Sequence, residues 1–480
     1  MPLPPRPRTP AGRDPRPGRR RVESANAAGQ PPRRIAYDVL RAVHGEDAYA
    51  NLVLPKRLRE SRLEERDRAL AAELTYGTLR AEGTLDHVLA ACVDRPLDAV
   101  DPAVLDVLRL GAYQVLRTRI GAHAAVSTSV DLARTVVGEG ASRFVNAVMR
   151  RVAERGLDPQ APDAGDDPTG YLSVTYSHPR WIVNAFRDAL AGDVVELEAA
   201  LAADDSRPEV HLVARPGRYS RAELLAECAD AGLVAAAAPW SPHAVRLAGG
   251  DVTLLRSVKD GRAAVQDEGS QLCALVAAAT GGRRILDMCA GPGGKAALLA
   301  GLLRGRDGGL LVAAEQHAHR AELVRRTLAA ATAGSDVRVV TVQADSQRPG
   351  WQRGGFDGVL IDAPCTGLGA LRRRPEARWR RQPADVPRLA SLQRALLRSA
   401  LESVRPGGMV TYAVCSPRLA EGRIVVSDAV KHTADVRLVD VRPMLPGVPH
   451  LGDGPWVQLW PHRHGTDAMF VAVLERAATL

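Results

Sequence analysis

No apolar run in this 480-residue chain is long enough to span a membrane, and its N-terminus lacks the short apolar core of a secretory signal. Its six cysteines, Cys92, Cys228, Cys273, Cys289, Cys365 and Cys415, form no CxxC pair and no Cys/His cluster. That scatter argues against a structural zinc site or any other metal, argues against a disulfide framework, and fits a reducing cytoplasm. The length exceeds one ordinary domain, so two or three are expected, each able to bury its own core.

The net charge of +9 is unevenly spread. Residues 1–34 hold nine arginines against Asp14 and Glu23, leaving only about +2 for the other 446. Rich in Pro and Gly and nearly free of large apolar side chains, residues 1–33 read as a disordered basic tail. Such an arm can contact phosphate, or it can be a passive leader.

From residue 34 to 155 the apolar pattern is helical throughout. Ile35, Val39, Leu40 and Val43 share one face, as do Leu85, Val88 and Leu89, and Asp101-Pro102 opens a further helix as cap and first-turn proline. No strand run interrupts this stretch, so an all-helical bundle is expected. A linker rich in Asp, Pro and Gly follows, from about Gly156 to Gly170. Residues 171–260 then read as a small mixed α/β region with no catalytic constellation. From 261 to 480 the runs RILDMC, LLVAAE, VRVVTV, FDGVLID, GMVTYAVC and MFVAVLE alternate with helical stretches, the rhythm of a doubly wound, Rossmann-like α/β sheet.

In such a sheet the ligand lies beyond the carboxyl ends of the strands, where Asp287, Glu315, Asp345, Asp362 and Cys415 stand. In CAGPGGK the glycines Gly291, Gly293 and Gly294 permit close backbone approach to a nucleotide-like cofactor. The turn lacks GxGxxG spacing, which argues against NAD and against a P-loop. Glu315 is placed to accept from ribose hydroxyls, and Asp345 from an adenine amino group. Two strand-end cysteines, Cys365 in IDAPCTG and Cys415 in VTYAVCSP, complete the pattern. One thiolate can attack a pyrimidine ring while the other assists. Cys92, Cys228 and Cys273 read as small buried hydrophobes.

Together LDMCAGPGGK, IDAPCTG and TYAVCSP resemble the RNA 5-methylcytosine methyltransferases that use S-adenosylmethionine. QDEGSQL (Gln266 to Leu272), RRRPEARWR (Arg372 to Arg380) and LWPHRHGTDAMFVAVL (Leu459 to Leu474) extend the match. The helical region resembles the NusB-like RNA-binding domain, and YSHPRWIV (Tyr176 to Val183) the segment after it. This architecture is similar to the RsmB (Sun/Fmu) subfamily, which methylates a cytosine of small-subunit ribosomal RNA. The resemblance implies an S-adenosylmethionine site formed by Cys289, Ala290, Gly291, Pro292, Gly293, Gly294 and Lys295 with Glu315, Asp345 and Asp362. It implies Cys415 as nucleophile, Cys365 as the cysteine that assists release, and Asp362 at the N3 edge of the base. The implied partner is RNA, in 16S rRNA or the small-subunit precursor; a cytosine of transfer RNA or of another ribosomal site is an alternative. A non-catalytic NusB-like antitermination protein would explain the helices and basic arm, but not the cofactor turn and both cysteines. The chain departs from the family pattern in two places. Val414 precedes Cys415 where the family often has Thr, and Glu421-Gly422-Arg423 stands where many members have Glu-Asn-Glu.

Overall fold

A computed structural model describes residues 17–156, 161–307 and 309–478, in two compact units, Met1–Asp166 and Asp167–Leu480. The first unit is helical: Pro17–Glu46, Ala50–Glu60, Glu65–Ala90, Pro102–Arg117, Ala122–Val136 and Glu139–Arg155. The Asp101 carboxylate caps its helix by accepting the Ala103 N–H at 2.7 Å, with Pro102 in the first turn where no N–H is needed. Val39, Leu40, Leu74, Leu85, Leu89, Leu108 and Val145 are all buried in one core. Residues 1–16 of the basic tail lie outside the described residues. The remainder of that stretch is part of the helix Pro17–Glu46, so the expected disorder does not extend to residue 33. The reason is local anchoring: Gln30 donates to the Thr128 carbonyl at 3.0 Å, and Arg33 to Gln114 at 2.6 Å.

A charged cluster crosses this helical core. His44 Nδ1 lies 2.6 Å from Asp106 and its Nε2 3.3 Å from Glu82, while Arg109 forks onto Asp86 at 2.6 and 2.7 Å. Burial opposes charge on His44, but the bonds to Asp106 and Glu82 outweigh it and push the imidazole up to about 9.

The second unit holds two sheets. The strands, in chain order, are β1 (Val210–Ala214), β2 (Ala235–Ala237), β3 (Ala244–Leu247), β4 (Ala263–Val265), β5 (Arg284–Asp287), β6 (Leu310–Glu315), β7 (Arg338–Gln343), β8 (Phe356–Asp362), β9 (Val404–Val414), β10 (Val436–Val439), β11 (Val457–Gln458) and β12 (Phe470–Arg476). The small sheet is antiparallel in the order β2-β3-β1-β4. Its fourth strand falls beyond residue 260, where the sequence suggested the catalytic region already begins. Three alanine- and valine-rich residues carry no sign of which sheet they join; the pairing of Leu212 with Val265 decides it.

The large sheet runs β10-β12-β9-β8-β5-β6-β7, with β11 paired to β12. Strands β5 to β9 are parallel, and β12 and β10 add antiparallel to that edge. Alternate residues serve opposite faces. Ile285, Leu311 and Leu360 pack with Ala297 and Leu298 of the helix Gly294–Leu302, whereas Leu286, Val359 and Tyr412 pack with Leu396 and Leu397 of the helix Asp385–Ser403. Each large aliphatic side chain so buried contributes about 1.5–3 kcal/mol. This two-sided burial fixes the parallel strands in register, and their carboxyl ends form one polar edge bearing Asp287, Glu315 and Asp362. No helix among the described residues is long and apolar enough to cross a membrane.

The His44 cluster gives this fold a pH signature. Because folding raises the imidazole pKa, the stability it contributes is complete below about 6.5 and is lost as pH rises through about 9. That shift corresponds to about 3 kcal/mol. Denaturant unfolding of the helical unit at about pH 6 and about pH 10 should lose that increment in the parent and much less in His44→Gln. Equal pH dependence in both proteins would rule the cluster out as its source.

Candidate active site

Two loops leave the polar edge beside each other, one after β8 and one after β9. They bring the sulfurs of Cys365 and Cys415 to 3.4 Å, with no disulfide between them. The Gly369 N–H donates to the Cys415 carbonyl at 2.9 Å, and the Ala468 N–H to the Gly369 carbonyl at 2.8 Å. A Cβ on Gly369 would strike the Ala468 carbonyl, so only glycine allows the loop to lie this close.

The two thiols are electrically unlike. The hydrogen bond from Cys365 lowers the Cys415 pKa, against burial and with help from the Lys295 ammonium. The same bond and burial hold the Cys365 thiol well above its usual range. Cys415 is therefore the sulfur that more readily gives up its proton, and Cys365 the one that keeps it.

Glu421 holds both loops. It is fully buried, and its carboxylate accepts from Thr366 N–H at 2.7 Å, Thr366 Oγ1 at 2.5 Å and Ser416 Oγ at 2.7 Å. Thr366 follows Cys365, and Ser416 follows Cys415. Tyr412 donates its hydroxyl to the Glu421 carbonyl at 2.6 Å. The next residue, Gly422, lies against Phe470, where a Cβ would sit 2.9 Å from the ring. That contact accounts for the glycine in the departing tripeptide.

The glycine turn sits between β5 and the helix Gly294–Leu302. Gly293 has φ +108°, a left-handed conformation that favours glycine. A Cβ on Gly291 would collide with Glu315 Oε2. Glu315 also accepts the His317 N–H at 3.0 Å and faces Arg320 at 3.5 Å. Lys295 Nζ reaches Asp362 Oδ2 at 2.7 Å, which joins the turn to the cysteine side of the edge. Burial and the neighbouring Asp362 push the Asp287 carboxyl up to about 7, and neither of its oxygens accepts a well-formed hydrogen bond from the described residues. Burial likewise raises the Cys289 thiol well above its usual range. Asp345 stands two residues beyond β7, half-buried, accepting the Gln347 N–H at 3.0 Å.

The sequence-derived set thus converges on one edge: Cys289 to Lys295, Glu315, Asp362, Cys365 and Cys415, with Asp345 past its far strand. Asp287 was legible as a strand-end acid but not as part of the site. Thr366, Ser416 and Glu421 were not singled out as a unit, because their meaning lies in a contact across 55 residues. The outlying motifs also meet. Asp267 of QDEGSQL receives Arg373 at 2.8 Å, and Asp467 of GTDAMF receives the same guanidinium at 2.9 Å. Arg378 is buried and donates to the carbonyls of Ser177 at 3.1 Å and Asp204 at 2.7 Å, tying RRRPEARWR to YSHPRWIV.

Family models agree with this architecture. Residues 274–475 match the 16S rRNA methyltransferase RsmB/F model, residues 30–154 the NusB family, and residues 178–253 the RsmF/B-like ferredoxin-like domain. Rv1407 of Mycobacterium tuberculosis, whose methyltransferase name is provisional, is 53% identical over 460 residues, covering 93% of this chain and 96% of that one. Ribosomal RNA small subunit methyltransferase B of Pseudomonas putida is 34% identical over 415 residues, covering 85% and 91%. The chain belongs to the RsmB/F methyltransferase family. It is an RNA methyltransferase of that type, and the methyl donor of the family is S-adenosylmethionine. The fold of this RsmB/F methyltransferase extends to the crystal structure of PH0851, with a TM-score of 0.79 at 22% identity over 93% of this chain and 99% of that one. It extends also to NSun6 from Pyrococcus horikoshii, solved with SFG, at a TM-score of 0.53, 18% identity and 63% and 99% coverage.

The Glu421 tie gives a direct test. Glu421→Ala removes the acceptor that the Thr366 N–H, the Thr366 hydroxyl and the Ser416 hydroxyl share, which should cost about 2–4 kcal/mol of stability. With the loops released, the Cys415 thiol should also titrate higher, read from the pH profile of alkylation. A variant that unfolds and alkylates as the parent does would show that Glu421 is not what spaces the sulfurs.

Proposed function

We propose that this methyltransferase places a methyl group on carbon 5 of a cytosine in RNA, most consistently in 16S rRNA, through a covalent adduct with Cys415. The observation that carries this reading is the unlike pair of sulfurs at 3.4 Å on the edge that also bears the glycine turn. A methyltransferase acting on oxygen or an exocyclic amine has no use for a thiolate so placed.

The donor fits the residues beside it. The turn from Cys289 to Lys295 offers a backbone surface without side chains at Gly291 and Gly293, bounded by the Glu315 carboxylate. Glu315 would hold the ribose hydroxyls and Asp345 the adenine amino group. The buried Asp287 carboxyl, left without good protein donors, faces the same turn as a further acceptor. Bound there, S-adenosylmethionine supplies an electrophilic methyl group.

Cytosine carbon 5 is too electron-poor to take that group unaided. The Cys415 thiolate forms a bond to carbon 6, and the electron pair displaced from the ring double bond makes carbon 5 nucleophilic. Asp362 is assigned the N3 edge of the ring, and Lys295 fixes its carboxyl from the other side. After methylation a base removes the proton from carbon 5, the electrons re-form the double bond, and the sulfur–carbon 6 bond breaks. Cys365 is assigned to this release step. It holds its proton beside Cys415, and a good leaving thiolate is one whose negative charge a neighbouring thiol stabilises.

The two cysteines should separate in experiment. Cys415→Ala should abolish methylation and keep cofactor binding by calorimetry. Cys365→Ala should still attack but fail to resolve, so that protein and RNA accumulate as a complex stable to denaturing electrophoresis. Bisulfite mapping of 16S rRNA before and after reaction identifies the base. Trapping by the Cys415 variant instead would reverse the assignment, and methylation at the parent rate by both variants would end the covalent reading.

A further inference from the structure

Resting on the cytosine reading, the inference concerns how the strand that carries the base is held. Two arginines five residues apart follow β9, Arg418 within the loop that begins at Cys415 and Arg423 at the start of the helix Arg423–His432. The Arg418 guanidinium lies over the Trp181 ring at 5.6 Å, and the Arg423 guanidinium over the Trp456 ring at 5.3 Å. Among the described residues, neither guanidinium meets a carboxylate or donates to a carbonyl. That is unusual in this unit, where most arginines near the edge are spent on partners, as Arg372, Arg373 and Arg378 are. Arg423 is exposed, while Arg418 and both tryptophans are half-buried.

The braces belong to the walls of the site. Trp181 packs on the apolar cluster that includes Leu368 and Leu371, just after the Cys365 loop. Trp456 packs on Phe470, which in turn touches Gly422. Each indole therefore fixes one guanidinium beside the loop that begins at Cys415, and leaves its N–H fork unspent. Such a fork matches a phosphate in geometry and charge. Five residues of chain span at most about 17 Å, a reach of a few nucleotides of single strand.

We propose that Arg418 and Arg423, braced by Trp181 and Trp456, are positioning residues that clamp the phosphodiester backbone of single-stranded RNA on the nucleotides flanking the target cytosine. Arg423 gives this chain a cation at a position where many family members carry an acid. The arginines fix the strand and do not touch the reacting atoms.

The test uses the full-length protein, a fluorescein-labelled single-stranded RNA containing one cytosine for anisotropy, and transcribed 16S rRNA for kinetics. Arg418→Gln and Arg423→Gln should each raise KM and Kd about tenfold, the scale of one charge-assisted contact, with kcat unchanged. Each should also lower the slope of log affinity against log salt by about 0.7, the value for one phosphate on a single strand. The Lys variants at both positions should restore the slope. Arg353→Gln, an exposed arginine at the opposite end of β8, serves as control and should change nothing. Parent-like affinity and slope in both Gln variants would overturn the clamp. So would weaker binding at an unchanged slope, since the arginines would then be acting through the loop's fold. If the parent itself methylates no cytosine, the cytosine reading fails while anisotropy still decides the clamp.

Discussion

The spacing of the two cysteine loops depends on a buried carboxylate. Glu421 accepts from the residues that follow each cysteine, and so fixes the distance between two sulfurs carried on separate loops. A thiol lowers its neighbour's pKa chiefly through a hydrogen bond, and that bond weakens as the two sulfurs separate. A buried acid with three donors is an expensive way to join two loops unless all three are satisfied. Here they are, and the same glutamate is held from behind by Tyr412 through its backbone carbonyl.

The edge beside that tie illustrates how a parallel sheet gathers unlike groups. Strands packed on both faces leave their carboxyl ends as the place where polar side chains can stand without covering core. Asp287, Glu315 and Asp362 end neighbouring strands, so their charges interact, and Lys295 relieves one of them. Asp287, fully buried with Asp362 near it, is driven toward neutrality. The edge beside the cofactor loop therefore carries a readily protonated carboxyl, Asp287, next to one that is ion-paired, Asp362 with Lys295.

Much of this was legible in the sequence, for physical reasons. Strands whose short apolar runs end in Asp, Glu or Cys, as RILD, LLVAAE and GVLID do, declare both their type and the edge they serve. Helices whose apolar residues recur at helical spacing declare their core, and Val39, Leu85 and Leu108 are buried as that spacing requires. What stayed hidden has a common cause. β4 is three small residues whose sheet is set by the pairing of Val265 with Leu212, 53 residues away, and the helix Pro17–Glu46 continues past an unfavourable composition because Gln30 and Arg33 find partners on other helices. Glu421 was visible only as part of an unusual tripeptide. Its role needed Thr366 and Ser416 beside it, and no local pattern records that meeting.

The same tripeptide shows how a loop can change its charge without losing its geometry. The glutamate must stay, because both cysteine loops hang on it, and Gly422 accommodates the Phe470 ring. Arg423 is under neither constraint: it begins the helix Arg423–His432, is exposed, and has an indole to lie on. A cation at a helix N-terminus gains nothing from the helix dipole, which favours negative charge there. A polyanionic strand is the partner that this guanidinium, unspent on protein carboxylates and carbonyls, would meet beside an RNA methyltransferase site.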